Sequence, residues 1–246
     1  MPTPDPPPCQ FLQLAEPVHR ARAVEVLLHG QIIVTAFHGL FVLVGDADDP
    51  TVLRQLATAK QRPLAKGGAL ICPPEFLAEQ SRPPASLRHL ADPFAPIQAV
   101  YQAVHALGLI LPAAVPGAPP HLVQAGTVLN VWTEQPPMYP IRQLVLQLRQ
   151  RGRRALMGTS ANRSGQPTIT DPAAVQAVFG AVVPLMLLDT FDQVPPQRRR
   201  SASIVDLTEA QPRLVREGSV TAAELRRHFR QLQLAELVVG PDVLRV

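Results

Sequence analysis

Chemistry in this sequence concentrates at two places. The first is Gly158-Thr-Ser-Ala-Asn-Arg-Ser-Gly-Gln-Pro-Thr168, a run of small hydroxyl and amide residues directly after an apolar segment. Such a run can set backbone N–H groups, hydroxyls and an amide around phosphate oxygens with no large side chain in the way. The second is Lys60-Gln-Arg-Pro-Leu-Ala-Lys66, which holds both lysines of a chain whose basic residues are otherwise all arginine. An ammonium supplies a compact charge and a guanidinium a planar fork, so Lys60 and Arg62 together suit phosphate or carbamate oxygens. Arg216 adds a third cation. No Gly-x-x-x-x-Gly-Lys-Ser/Thr loop, Gly-x-Gly-x-x-Gly fingerprint or Gly-x-Ser-x-Gly elbow occurs, and the seven histidines lack metal-ligand spacing.

These groups need a scaffold, and the hydrophobic pattern supplies an alternating one. Helical spacing predicts helices over 18–28, 50–60, 96–107, 141–149, 172–178 and 225–232. Apolar runs predict strands over 31–36, 39–45, 67–72, 126–132, 155–158, 184–188, 203–207 and 213–215. Asp171 reads as an N-cap, and Thr221 with Glu224 as a capping box. In an open α/β sheet, ligands sit at the carboxyl ends of strands, where the 158–168 segment falls. Expected boundaries are a flexible Pro-rich tail over 1–17, one domain over 18–225, and a basic helix with a tail over 226–246.

Composition narrows the class. The 246 residues are 46% hydrophobic and 17% charged, with a mean hydropathy of +0.09, which excludes a mostly disordered chain. Residues 26–45 and 93–133 contain no Asp, Glu, Lys or Arg, but polar residues, glycines and prolines interrupt both. Neither reads as a membrane span. Two cysteines, Cys9 and Cys72, fit neither a disulfide framework nor a zinc motif, and no secretory signal is visible, so a cytoplasmic location is expected. The net charge of +4 and the Arg198-Arg-Arg200 cluster are compatible with nucleic-acid phosphate, although aromatic residues are only 4% and give no stacking platform.

The order of residues in Thr159-Ser-Ala-Asn-x-Ser-Gly-x-Pro167 resembles the signature of the YrdC-like family, the threonylcarbamoyl-adenylate synthases. Lys60-x-Arg-Pro63 resembles the family's Lys-x-Arg-Pro, Ala202-Ser-Ile-Val-Asp206 its Ser-Thr-Val-Val-Asp strand, and Arg216-Glu-Gly218 its closing Arg-x-Gly segment. The resemblance runs from about residue 18 to 225. It implies a single twisted mixed-sheet α/β domain with a basic cleft. It also implies formation of L-threonylcarbamoyl-adenylate from threonine, bicarbonate and ATP, with Mg²⁺ carried on the phosphates, for modification of an adenosine in tRNA. Lys60 and Arg62 are then the catalytic cations, and Thr159, Ser160, Asn162, Ser164, Ser203 and Arg216 the ATP-binding residues. Expected partners are tRNA or double-stranded RNA and the machinery that transfers the threonylcarbamoyl group. Where the family carries Pro-Thr-x-Thr-x-Tyr-Gly-Leu around its threonine, this chain has Ile33-Val-Thr-Ala-Phe-His-Gly-Leu40, which puts Thr35 and His38 in the acyl pocket. That departure keeps two alternatives open: a relative with a different acyl substrate, and a non-catalytic RNA- or nucleotide-binding protein.

Overall fold

The computed structural model describes residues 9–136, 139–189 and 191–245. Its strands form one twisted mixed sheet. The first half comprises β1 (Gln10–Gln13), α1 (Pro17–Leu28), β2 (Ile33–Phe37), β3 (Leu40–Asp46), α2 (Pro50–Lys60), β4 (Ala69–Ile71), α3 (Ala95–Ala103), β5 (Leu107–Pro112) and β6 (Thr127–Trp132). The second comprises α4 (Tyr139–Gln150), β7 (Leu156–Ser160), α5 (Pro172–Phe179), β8 (Leu185–Leu188), β9 (Ser203–Asp206), β10 (Arg213–Glu217), α6 (Ala222–Gln231) and β11 (Val238–Arg245). Strand order is β1-β8-β2-β3-β7-β4-β6-β5-β9-β10-β11.

The hairpin β2–β3 is the centre of the core. Every residue of both strands is buried, as expected of strands covered on both faces. The hairpin turns on His38 and Gly39, both at positive φ (45° and 90°), the backbone that two-residue turns need to match strand twist. Helix α1 packs on β8, β2 and α4, while α2 packs on β3 and β7. Asp49 caps α2 by accepting from the Thr51 N–H at 2.8 Å, and Pro50 occupies its first turn. The capping box of α6 is present, with the Thr221 side chain accepting from the Glu224 N–H.

Three expectations are corrected. Residues 10–13 are not part of a flexible tail: β1 pairs in parallel with β8, Gln10 to Leu185 through Gln13 to Leu188. The C-terminal segment is likewise a strand, β11 pairing with β10. The helix expected over 96–107 stops at Ala103, because the chain turns extended at Val104 and enters β5, which pairs antiparallel with β6 and parallel with β9. Among the described residues, no helix is long and apolar enough to cross a membrane.

Candidate active site

The two chemical segments meet because of how α2 ends and where β7 runs. Gln61 adopts a left-handed conformation (φ 51°), with its N–H on the Thr58 carbonyl and the Arg62 N–H on the Ala57 carbonyl. The chain therefore swings away, leaving Lys60 pointing inward and Arg62 beyond the helix. β7 lies antiparallel between β3 and β4, with Ser160 opposite Val42 and Gly158 opposite Ala69. Its carboxyl end delivers the 160–166 loop beside Lys60.

The contacts across this junction are dense. Lys60 Nζ donates to the Ser160 carbonyl and to Asn162 Oδ1 at 2.9 Å. Ser160 Oγ donates to the same Oδ1 at 2.6 Å. Arg163 donates to the Ala59 carbonyl at 2.9 Å, and Lys66 Nζ reaches Ser164 Oγ at 3.1 Å. Arg62 donates to Thr159 Oγ1 at 3.3 Å and, through its other terminal nitrogen, to the Gly67 carbonyl. Among the described residues its buried Nε has no hydrogen-bond partner.

This junction borders a cavity of about 300 Å³. Arg62, Lys66, Thr159 and Ser160 line it together with Gln124, Ser201, Ala202 and Arg216. Among the described residues three cations and no carboxylate line it, so it favours an anion. Arg216 is fixed by donation from Nε to the Ala202 carbonyl at 2.9 Å. Burial pulls the Arg62 and Arg216 guanidinium pKa values down. Arginine nevertheless stays protonated in proteins.

Several expected residues have other work. Lys60 is only 3% exposed and does not line the cavity. Burial first, then the charges of Arg62 and Lys66, bring its pKa down to about 7. Ser203 is fully buried, its hydroxyl donating to the Val220 carbonyl and accepting from the Gly218 and Val220 N–H groups. That hydroxyl pins the turn after β10 and has nothing left for a nucleotide. Asn162 and Ser164 sit in the loop behind the lining.

Thr35 and His38, expected in the acyl pocket, sit in the β2–β3 hairpin whose Phe37, Leu40 and Val42 line the cavity. Thr35 is fully buried, donating to the Ala36 carbonyl at 3.3 Å. His38, at the turn, faces His105, with Nε2 to Nδ1 at 2.6 Å. Burial, reinforced by His105 and Arg198, pushes its pKa down to about 4. Neither residue lines the cavity. The basic cluster is also mostly spent. Arg198 pairs with Glu224 and donates to the Ser219 carbonyl, and Arg199 donates to the carbonyls of Val194 and Phe191. Sequence reasoning gave Lys66 and Gln124 no role, although the lysine pairing in 60–66 was a signal for the first.

Comparisons with known proteins identify the family and the fold. A family model named Sua5_yciO_yrdC, described as telomere recombination, matches residues 25–218. A Mycobacterium leprae (strain TN) protein provisionally named a threonylcarbamoyl-AMP synthase is 39% identical over 67 residues, covering 27% of this chain and 29% of that protein. The crystal structure of P. abyssi Sua5 complexed with L-threonine superposes with a TM-score of 0.73 at 19% identity, over 94% of this chain and 63% of that one. E. coli YciO gives 0.69 at 19% identity, over 85% and 96%. The chain thus spans less than two thirds of the Sua5 chain.

Proposed function

Since the chain belongs to the Sua5/YciO/YrdC family, we propose that its cleft makes a carbamoyl-adenylate of the threonylcarbamoyl-AMP type from ATP, bicarbonate and an amino acid of about threonine's size. The observation that carries this reading is the cavity rim, where Arg62, Lys66 and Arg216 converge with the hydroxyls of Thr159 and Ser160.

The amino acid's ammonium and bicarbonate give a carbamate, water and one proton released to solvent. A carbamate oxygen then bonds to the α-phosphorus of ATP as the bond to the β-phosphate oxygen breaks, and pyrophosphate leaves with that electron pair. Two anions must approach each other, so the barrier is mainly electrostatic and positional, and no protein nucleophile is required. Arg62, Lys66 and Arg216 screen the phosphates, charges fixed before substrate arrives. Lys60 is a positioning residue: it holds Ser160 and Asn162 and thereby the loop that completes the rim. The lining offers Mg²⁺ no carboxylate, so the ion would be held through the phosphates of ATP, where it supplies further neutralisation.

The alternative of a non-catalytic RNA-binding protein loses support from the Arg198–Glu224 pair and the internal bonds of Arg199. A pyrophosphate-release assay tests the proposal. Release should require ATP, bicarbonate and an amino acid together; release independent of bicarbonate, or none, would overturn it.

A further inference from the structure

The floor of the cavity differs in character from its rim. Strand β6 alternates as a half-covered strand should: Val128, Asn130 and Trp132 are buried, and Thr127, Leu129 and Val131 are half-exposed. On a face open to water, positions 129 and 131 would ordinarily be polar, yet both are apolar and both line the cavity. β9 repeats the pattern, with Ile204 half-exposed between buried Ser203 and Val205. Gly108, paired with Val131 on one side and Ile204 on the other, lets these chains approach: a Cβ there would stand 3.1 Å from both Ile204 and Leu129 side-chain atoms. Ile71 and Val42 continue the apolar surface under the rim.

A partly open, continuous apolar floor below a cationic rim marks a site for a ligand with an anionic end and an apolar end. The hydroxyls nearby belong to the rim, and each already makes one hydrogen bond. Ser160 Oγ donates to Asn162, Thr159 Oγ1 accepts from Arg62, and Ser201 Oγ pairs with Thr168 Oγ1 at 3.2 Å. Thr35, on the same sheet face as Phe37 and Val42, is buried beneath the lining, and His38 faces His105. The floor side chains offer no hydrogen-bond donor or acceptor. An adenine ring, whose nitrogens and amino group need partners, is therefore a poorer occupant of the floor than an aliphatic chain, which needs none.

We propose that the amino acid used here carries a branched aliphatic side chain, valine, isoleucine or leucine, seated on Leu129, Val131 and Ile204, in place of threonine. This rests on the carbamoyl-adenylate reading of the cleft and names its amino-acid substrate. Valine is threonine with the hydroxyl replaced by methyl. A hydroxyl on this floor loses water and gains no partner from Leu129, Val131 or Ile204, and an apolar pocket rejects such an isostere by up to roughly a hundredfold.

The test is pyrophosphate release at saturating ATP and bicarbonate with valine, leucine, isoleucine, threonine, serine or alanine. The same panel is run on Val131→Thr and Leu129→Thr, both at half-exposed positions that tolerate a polar side chain. Valine or a larger aliphatic should exceed threonine in kcat/KM by about ten- to a hundredfold, and the variants should narrow that ratio several-fold. Threonine preferred by the wild type, or a ratio that neither variant moves, would overturn the aliphatic assignment and leave carbamoyl-adenylate synthesis standing. Release with no amino acid at all would overturn both.

Discussion

Replacing Lys60 by Met should change the pH dependence of stability as well as stability itself. In the folded chain the Lys60 pKa is about 7 against an ordinary 10.5, mainly through burial. Between those values the unfolded chain holds the extra proton, so stability rises with pH through the window, and below about pH 7 the whole penalty is felt. Each pH unit carries at most about 1.4 kcal/mol. Between pH 7 and 9.5 the wild type should therefore gain roughly 1–3 kcal/mol over Lys60→Met. Removing the lysine also removes two hydrogen bonds. However, the Ser160 carbonyl keeps the Asn162 N–H at 3.1 Å, and Asn162 Oδ1 keeps Ser160 Oγ at 2.6 Å. That loss is about 1–3 kcal/mol and offsets part of the relieved desolvation at pH 7. Urea unfolding of both proteins at several values from pH 6 to 9.5 reads the difference directly. Parallel stability curves would refute a buried, depressed Lys60.

Arg62→Lys keeps the charge but loses the fork that spans Thr159 Oγ1 and the Gly67 carbonyl, so pyrophosphate release should fall about tenfold or more; full activity would contradict the positioning argument. Glu224, brought down to about 2 chiefly by its hydrogen bond from Arg198, contributes stability that is present above pH 4.5 and lost as pH falls toward 2. Glu224→Gln should remove part of that acid sensitivity in unfolding titrations, about 1 kcal/mol once solvent screening of this partly exposed pair is counted, and an unchanged acid limb would dismiss the pair. Cys72 is buried, with a thiol pushed up to about 12, so iodoacetamide should label it only after denaturation, and native labelling at the rate of an unfolded thiol would count against this packing.

Local signals in the sequence were strong where one element decides its own ends. Asp171, Thr221 and Glu224 mark helix starts by side-chain chemistry that needs no distant partner. The 50–60 helix was legible for its periodicity, and the two chemical segments, marked by residue type alone, meet in the fold. β1 and β11 were missed because short mixed segments become strands only when β8 and β10 offer an edge. β5 was lost inside an apolar stretch that periodicity cannot divide between helix and strand. The cavity floor was invisible for a related reason. Ile71, Leu129, Val131 and Ile204 come from three strands, and only sheet order makes them neighbours. The contact of His38 with His105 was equally illegible, because it depends on a two-residue turn and a partner 67 residues away.

The central claim is that this cleft joins a carbamate to AMP. Mass spectrometry of the reaction with isotopically labelled bicarbonate, ATP and valine tests it most directly. The account predicts an amino-acid carbamoyl-adenylate that carries the label, formed in step with pyrophosphate and lost in Arg62→Ala. An unlabelled aminoacyl-adenylate, or ADP and phosphate as the only products, would contradict it.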